Sequence, residues 1–293
     1  MGRTLARLAG AEGGKIRATP MFHANIPFKH KEKHMILSGK TVIVSGVGPG
    51  MGRTLARLAG AEGANVVLGA RNKAFLEEVA AEITASGGKA LPVPTDVTDT
   101  AQCAALAQAA VTQFGGINGL INSAYYHGEW ATTDAATPED FMRCYDVNCV
   151  GALRLAQACL PAMKNAGGGA IVNVSTMATV NPFPGEVAYA AAKGGLNALT
   201  RHMAKDFGRF NIRVNVARMG WIGGAPVYDF VDREVAAGRN RDEVVGKITQ
   251  NIPLGIIPPE EDCARAVLFF VSDYTKVVTG ASLDVNGGQY MAP

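Results

Sequence analysis

Thr41-Val-Ile-Val-Ser-Gly46-Val-Gly48-Pro-Gly50-Met-Gly52 decides the fold. The run 41–45 is short, apolar and closed by glycines, the pattern of a buried β-strand. A helix is predicted to begin near Gly50 and to continue through Arg53-Thr-Leu-Ala-Arg-Leu-Ala. Strand, glycine turn and helix make the first half of a βαβ unit. The turn lets the backbone approach a ligand closely, and the helix start offers free N–H groups and a positive dipole end to a pyrophosphate. Gly46, Gly50 and Gly52 are spaced G-x-x-x-G-x-G, with Gly48 adding a G-x-G-x-G, and Ser45 and Met51 lie in the same turn. The competing reading is a tight βα turn whose glycines serve packing only.

Outward from this stretch, strands and helices alternate. Further strands are predicted at 65–69, 90–95, 119–122, 170–174, 212–217 and 282–285. Helical patterns fall at 72–85, 101–114, 138–164 (with Pro161 near its end), 186–207, 226–249 and 260–270. Strands this apolar have no wet face, so a doubly wound parallel sheet with helices on both sides is expected. Its ligand site should lie at the carboxyl ends of the strands, where the strand order reverses. No linker or composition break interrupts 35–293, which reads as one domain.

The chain has 293 residues, 48% of them hydrophobic and 18% charged. No apolar run approaches the about 18–20 residues needed to span a bilayer, so no membrane association is expected. Five scattered cysteines without a C-x-x-C fit reduced thiols in the cytoplasm, not disulfides or a metal site. Residues 1–34 carry seven Lys/Arg against two acids, a surplus of five in a chain of net charge +3, so the remaining 259 residues are net −2. The body therefore offers no nucleic-acid footprint.

Residues 1–13, MGRTLARLAGAEG, repeat residues 51–63 without a difference. The strand and glycine turn before that helix are not copied, so this is not a structural repeat. It reads as a cloning duplication, a start-site error or a gene rearrangement. Residues 14–34 are basic and aperiodic, disordered or tag-like by composition. Met35 reads as the native start. A mitochondrial presequence is the rival, opposed by Glu12 and the shortage of Ser.

The end of the second strand chooses between dinucleotides. An acid there favours NAD, and a base accommodates the 2′-phosphate of NADP. Here it reads Leu68-Gly69-Ala70-Arg71-Asn72, with no acid and with Arg71 in reach. A guanidinium suits a phosphate, so NADP(H) is preferred, with NAD(H) as the alternative. Further on, Tyr189 and Lys193 stand at i and i+4 on one helix face. An ammonium there is expected to lower the phenol pKa and fit the tyrosine for proton transfer to or from a carbonyl or alcohol oxygen.

These residues resemble the classical short-chain dehydrogenase/reductase family over about 255 residues. The match runs in order through Ser45-Gly46-x-x-x-Gly50-x-Gly52, Asp96, Asn122, Asn148, Tyr189-x-x-x-Lys193, Arg213-Val-Asn, Thr279-Gly280 and Asn286-Gly287-Gly288. The resemblance implies a Rossmann-type seven-stranded sheet, a nicotinamide cofactor, and a homotetramer or homodimer built on the long helices. It implies Tyr189 as general acid/base, Lys193 on the nicotinamide ribose, Asn148 holding a relay water, and Asp96 and Val97 at the adenine. Gly220 and Ile222 are carried over as cofactor contacts after the sixth strand.

Four positions depart from the family pattern. The catalytic serine position, 13 residues before the tyrosine, is Thr176, with Ser175 beside it. Thr176 is preferred, since it keeps a hydroxyl able to polarise a carbonyl. Tyr125 replaces a glycine after the fourth strand and places a ring where backbone space is usual. Met219 stands for the proline before Gly220, and Pro49 for the basic residue often found in NADP enzymes.

Tyr125, Met177, Phe183 and Trp221 are the leading substrate-pocket candidates, and their aromatic and apolar character points to a hydrophobic or cyclic alcohol or ketone. His127 is a further candidate for substrate contact, against the commoner reading of a solvated loop histidine. Residues 223–250, with Gly223-Gly224 as a hinge, read as a lid. The main rival function is a non-catalytic NADP-binding sensor or partner subunit. An enoyl reductase is disfavoured, because that relative spaces its Tyr and Lys by six residues and three are found here.

Overall fold

The first strand, β1 (Thr41–Ser45), is buried at every position. It has a parallel neighbour on each side, β2 (Asn65–Ala70) and β4 (Gly119–Asn122). A strand enclosed in this way has no solvated face, which is why its sequence shows no alternation. The computed structural model describes residues 35–292, and the N-terminal copy and basic segment at 1–34 lie outside the described residues. The remaining strands are β3 (Lys89–Pro94), β5 (Gly169–Thr176), β6 (Ile212–Met219) and β7 (Ser282–Val285). The seven form one sheet in the order β3-β2-β1-β4-β5-β6-β7, every pairing parallel. The order reverses between β1 and β4, the place where an open parallel sheet takes its ligand.

The described residues form nine helices: α1 (Met51–Ala61), α2 (Lys73–Ala85), α3 (Thr100–Phe114), α4 (Pro138–Tyr145), α5 (Gly151–Asn165), α6 (Val187–Phe207), α7 (Ala225–Ala236), α8 (Arg241–Thr249) and α9 (Glu260–Val271); α1, α2, α3, α5, α6 and α9 pack on the sheet, α4 lies on α6, and α7 and α8 pair over a small core of their own. The period of two along β1 divides the core. Val42 and Val44 pack with Leu55 of α1, Leu76 of α2 and Val267 of α9. Ile43 packs on the other side with Leu106 of α3, Leu155 of α5 and Met203 of α6.

Two helical stretches are more divided than their sequence pattern predicts. The continuous pattern over 138–164 is broken by a π-helical turn, Asp146–Val150, between α4 and α5. A single wide turn hardly disturbs an apolar stripe, so periodicity does not reveal it. The pattern over 226–249 separates into α7 and α8, and Asn240 caps the second through the N–H groups of Asp242 and Glu243.

The Arg213-Val-Asn motif is a structural stitch. Arg213 donates to the carbonyls of Phe270 and Ser272 and to Thr275 Oγ1, while Asn215 bonds the backbone of Val278 and Ala281. These bonds hold the approach to β7 against β6. Arg218 adds a nearly buried ion pair with Asp284 across the same two strands, under the Tyr290 ring.

Candidate active site

The glycine turn is tight for identifiable reasons. Gly46 has φ +80°, and a Cβ there would lie 2.2 Å from the Ala124 amide nitrogen, just beyond β4. Gly52 faces the other way, and a Cβ there would lie 2.1 Å from the Gly46 carbonyl oxygen. Gly50 precedes α1 with φ +120°, a conformation side chains rarely adopt. Gly48 has open space around it and neither restriction applies. No side chain caps α1 and no acid occupies its first turn, and with Arg53 and Thr54 bonded to the Gly48 and Gly50 carbonyls, the N–H groups of Met51 and Gly52 are left for an anion.

At the switch point Ser45 of β1 stands opposite Asn122 of β4 in register. Asn122 Nδ2 donates to Asn173 Oδ1 at 2.8 Å, and Asn173 passes the chain on to Thr200 of α6. Ser45 Oγ and Asn122 Oδ1 are buried without a partner among the described residues. Buried polar atoms are normally satisfied, and these two face one pocket lined also by Val97, Asn148, Lys193 and Leu196. Unpartnered acceptors and an uncapped helix start fit a dinucleotide. Asn173 escaped the sequence reading, although a lone amide in the middle of an apolar strand was a usable signal.

Tyr189 and Lys193 lie in the first two turns of α6. Lys193 is 2% exposed, and its Nζ donates to the Val174 carbonyl of β5 at 2.8 Å. Burial pushes its pKa down to about 8. The ammonium lies 5.8 Å from the centre of the partly buried Tyr189 ring. The expected lowering of the phenol pKa is not what the structure shows. Burial pushes it above the ordinary tyrosine value, and Glu186 and Tyr125 add to the rise. Desolvation outweighs an ammonium that points at a carbonyl on the strand.

The loop after β4 closes over Tyr189. Tyr126 is pinned by Asn148, whose Oδ1 accepts from the Tyr126 amide and whose Nδ2 donates to the carbonyls of Tyr126 and Cys144. The π-helical turn holds Asn148 in position to make these three bonds. Asp140 of α4 takes the Tyr126 hydroxyl at 3.0 Å and the Glu129 amide at 3.0 Å. His127, whose commoner reading is a solvated histidine, instead stacks on Tyr189 with ring centres 5.0 Å apart, and Trp130 covers its other face at 4.3 Å. Tyr125 is 59% exposed and stands edge-on to Tyr189 at 6.5 Å, so its ring projects outward and does not fill the turn.

The other candidate residues are more dispersed. Ser175 is buried, its hydroxyl unpartnered among the described residues. Thr176 ends β5, partly exposed, and its Oγ1 accepts the Ala178 N–H at 3.2 Å. Met177 opens the 3-10 turn that follows, and Phe183 is 57% exposed beyond it. Trp221 packs beside Phe230 on the small core of α7 and α8, whereas Ile222 packs on the main core. Gly220 is required by Asn286, whose Cβ would be 2.6 Å from a Cβ there. The Gly223-Gly224 pair is braced, with Gly223 bonded to the Pro258 carbonyl and Gly224 lying against Glu260. Arg71 is exposed after β2 and has no ion pair among the described residues. Asp96 sits after β3 with Val97 buried behind it, and hydrogen bonds from Thr98 hold its carboxyl below the usual range.

A family profile described as enoyl-(acyl carrier protein) reductase matches residues 46–289. The 7α-hydroxysteroid dehydrogenase of Escherichia coli K12 is 32% identical over 253 residues, covering 86% of this chain and 94% of the relative. The chain belongs to the short-chain dehydrogenase/reductase family. This reductase-family chain is also similar to trans-4-hydroxycyclohexanecarboxylate dehydrogenase of Sinomonas cyclohexanicum, at 34% identity over 85% of this chain and 92% of that one. A solved structure of 7α-hydroxysteroid dehydrogenase complexed with NADH and 7-oxo glycochenodeoxycholic acid superposes with a TM-score of 0.78. It is 31% identical and covers 87% of this chain and 96% of that one. The fold and the oxidoreductase class read from the glycine turn and the Tyr-Lys pair are those of the relatives. No helix among the described residues is long and apolar enough to cross a membrane.

Proposed function

We propose that this oxidoreductase is NADP(H)-dependent and interconverts a hydrophobic or cyclic alcohol and its ketone, with Tyr189 as general acid/base. The observation that carries the reading is Tyr189 and Lys193 one turn apart on α6, beside the uncapped glycine turn. A nicotinamide cofactor, when bound, supplies or accepts the hydride. Met51 and Gly52 at the start of α1 would hold its pyrophosphate with their N–H groups. Ser45, Asn122 and Lys193 would take the nicotinamide-ribose side, Asp96 and Val97 the adenine side, and Gly220 and Ile222 the wall after β6. A phenol raised by burial is protonated at neutral pH, which fits Tyr189 to give its proton to a carbonyl oxygen. Thr176, partly exposed, polarises that oxygen, because buried Ser175 is closed to a substrate. The cyclic hydroxyl compounds in the names of two relatives support the substrate class.

Arg71 carries the cofactor choice, being exposed and free of an ion pair among the described residues. Replacing it with Ala raises KM for NADPH about 10–100-fold, the worth of a charged hydrogen bond, and leaves KM for NADH nearly unchanged. Absorbance assays with both cofactors and a panel of cyclic ketones read this. An equal loss with both cofactors would overturn the NADP preference. Residues 1–34 are proposed to lie outside the catalytic domain, so a chain starting at Met35 keeps wild-type kcat and KM. Buried free cysteines at positions 103, 144, 149, 159 and 263 support a reducing, cytoplasmic setting. A homotetramer or homodimer is proposed from the family resemblance, to be read by light scattering.

A further inference from the structure

We propose that His127 is a positioning residue for Tyr189: held between the Trp130 and Tyr189 rings and paired with Glu186, it fixes the phenol ring and screens it from that carboxylate. The inference rests on the proposed role of Tyr189. The two stacking planes are each inclined by 26°, so the imidazole is a layer between two aromatic faces. Nε2 lies 3.3 Å from Glu186 Oε1, and Nδ1 lies 3.4 Å from the Gly128 carbonyl. Both partners are acceptors, so a ring with one N–H can serve only one of them. Glu186, only 18% exposed in its side chain, stands at the N-terminus of α6 three residues before Tyr189, and its charge adds to the raising of the phenol pKa. A carboxylate whose charge is taken up by an imidazole N–H acts less strongly on a neighbouring hydroxyl.

The loop that carries His127 is not free to move away. Asn148 and Asp140 hold its two ends, and the Cys144 thiol donates to the His127 carbonyl at 3.6 Å. Gly128 has φ +78°, and a Cβ there would meet Asp140 and Cys144. The ionisable groups in contact with His127 are Glu186 at Nε2, Tyr189 across the stack and the Cys144 thiol at its carbonyl, with Asp140 of α4 and Tyr125 of its own loop bound to their neighbours. Asp140 is already taken by the Tyr126 hydroxyl and the Glu129 amide, and Tyr125 touches Tyr189 only by its edge. Glu186 is therefore the charge that the imidazole controls.

The test compares His127→Phe, Glu186→Gln and the double variant in the full chain. One readout needs no cofactor: the near-ultraviolet circular dichroism of the stacked rings, with Tyr189→Phe identifying the Tyr189 contribution. The other is kcat and KM, read as a double-mutant cycle. His127→Phe, which keeps the stack, is expected to retain the Tyr189 signal and to cut kcat about tenfold, with KM for the cofactor unchanged. Glu186→Gln keeps kcat at or above the wild-type value, and adding His127→Phe to it costs little more. An unchanged kcat in His127→Phe, or the same loss in both backgrounds, would overturn the proposal. If His127→Phe does not fold, Glu186→Gln alone decides, because a lowered kcat there would mean that the carboxylate is no burden to be screened. Turnover retained by Tyr189→Phe would instead sink the assigned role of Tyr189, while the circular dichroism would still report on the hold of His127 on the ring.

Discussion

Tyr189→Phe lowers kcat by about 10²–10⁴-fold, the usual worth of a positioned general acid, while the Kd for NADPH stays within about twofold. The separation follows from where the residue sits. The phenol ring is packed under His127 and beside Tyr125, whereas the orphaned Ser45 and Asn122 atoms line a pocket with Lys193 that Tyr189 does not line. Phe keeps both ring contacts and removes only the hydroxyl, so the fold and the cofactor side are spared. Single-turnover absorbance with saturating NADPH reads the chemistry, and fluorescence titration reads binding. Turnover near the wild-type rate would show that another group moves the proton. Tight binding with no turnover by the wild-type chain on a broad panel would favour the sensor reading.

Lys193→Met is expected to abolish most activity, by more than about 10²-fold, and at the same time to stabilise the ligand-free protein by roughly 1–3 kcal/mol near pH 7. An ammonium has three donors, and among the described residues this one has a single bond, to the Val174 carbonyl. Its burial holds the pKa down at about 8, against 10.5 for an ordinary lysine. Between those values the unfolded chain binds more proton than the folded one, so stability rises as pH rises through that window. Below about pH 8 the full cost of the buried charge is present, and above about 10.5 it is gone. Met fills similar volume without a charge, and loses only the bond to Val174. The Tm gap between variant and wild type is therefore largest near neutrality, at about 2–4 °C per kcal/mol, and closes as pH climbs. Thermal melts across that range read it. A variant less stable than wild type at pH 7 would mean that the hydrogen bond outweighs the buried charge.

The parts of this chain that were legible in the sequence are those where local rules and the fold agree. Thr41–Ser45, Gly119–Asn122 and Ser282–Val285 begin and end where their turn residues said. The glycine turn was readable as a turn because Gly46 and Gly52 meet backbone, where no Cβ fits, and Gly50 takes a positive φ. What was not legible depends on contacts distant in sequence. The π-helical turn at Asp146–Val150 leaves the apolar stripe intact and shows itself only through the bonds of Asn148 to Tyr126. The raised pKa of Tyr189 is not legible in a one-turn Tyr-Lys spacing, which says nothing about burial or about where the ammonium points. His127 was left between substrate contact and solvent because nothing near it in sequence indicates that Trp130 and Tyr189 will enclose it.

The contact between Gly46 and Ala124 has a consequence for chimaeric enzymes. The turn after β1 and the loop after β4 are separate in the chain, yet their backbones touch where no Cβ fits. The loop after β4 goes on to carry the aromatic layer over Tyr189. Exchanging either loop alone with one from another oxidoreductase would leave a mismatched seam at residues 46 and 124. Recombination in this protein therefore has to move 45–53 and 122–130 together, as one inherited block.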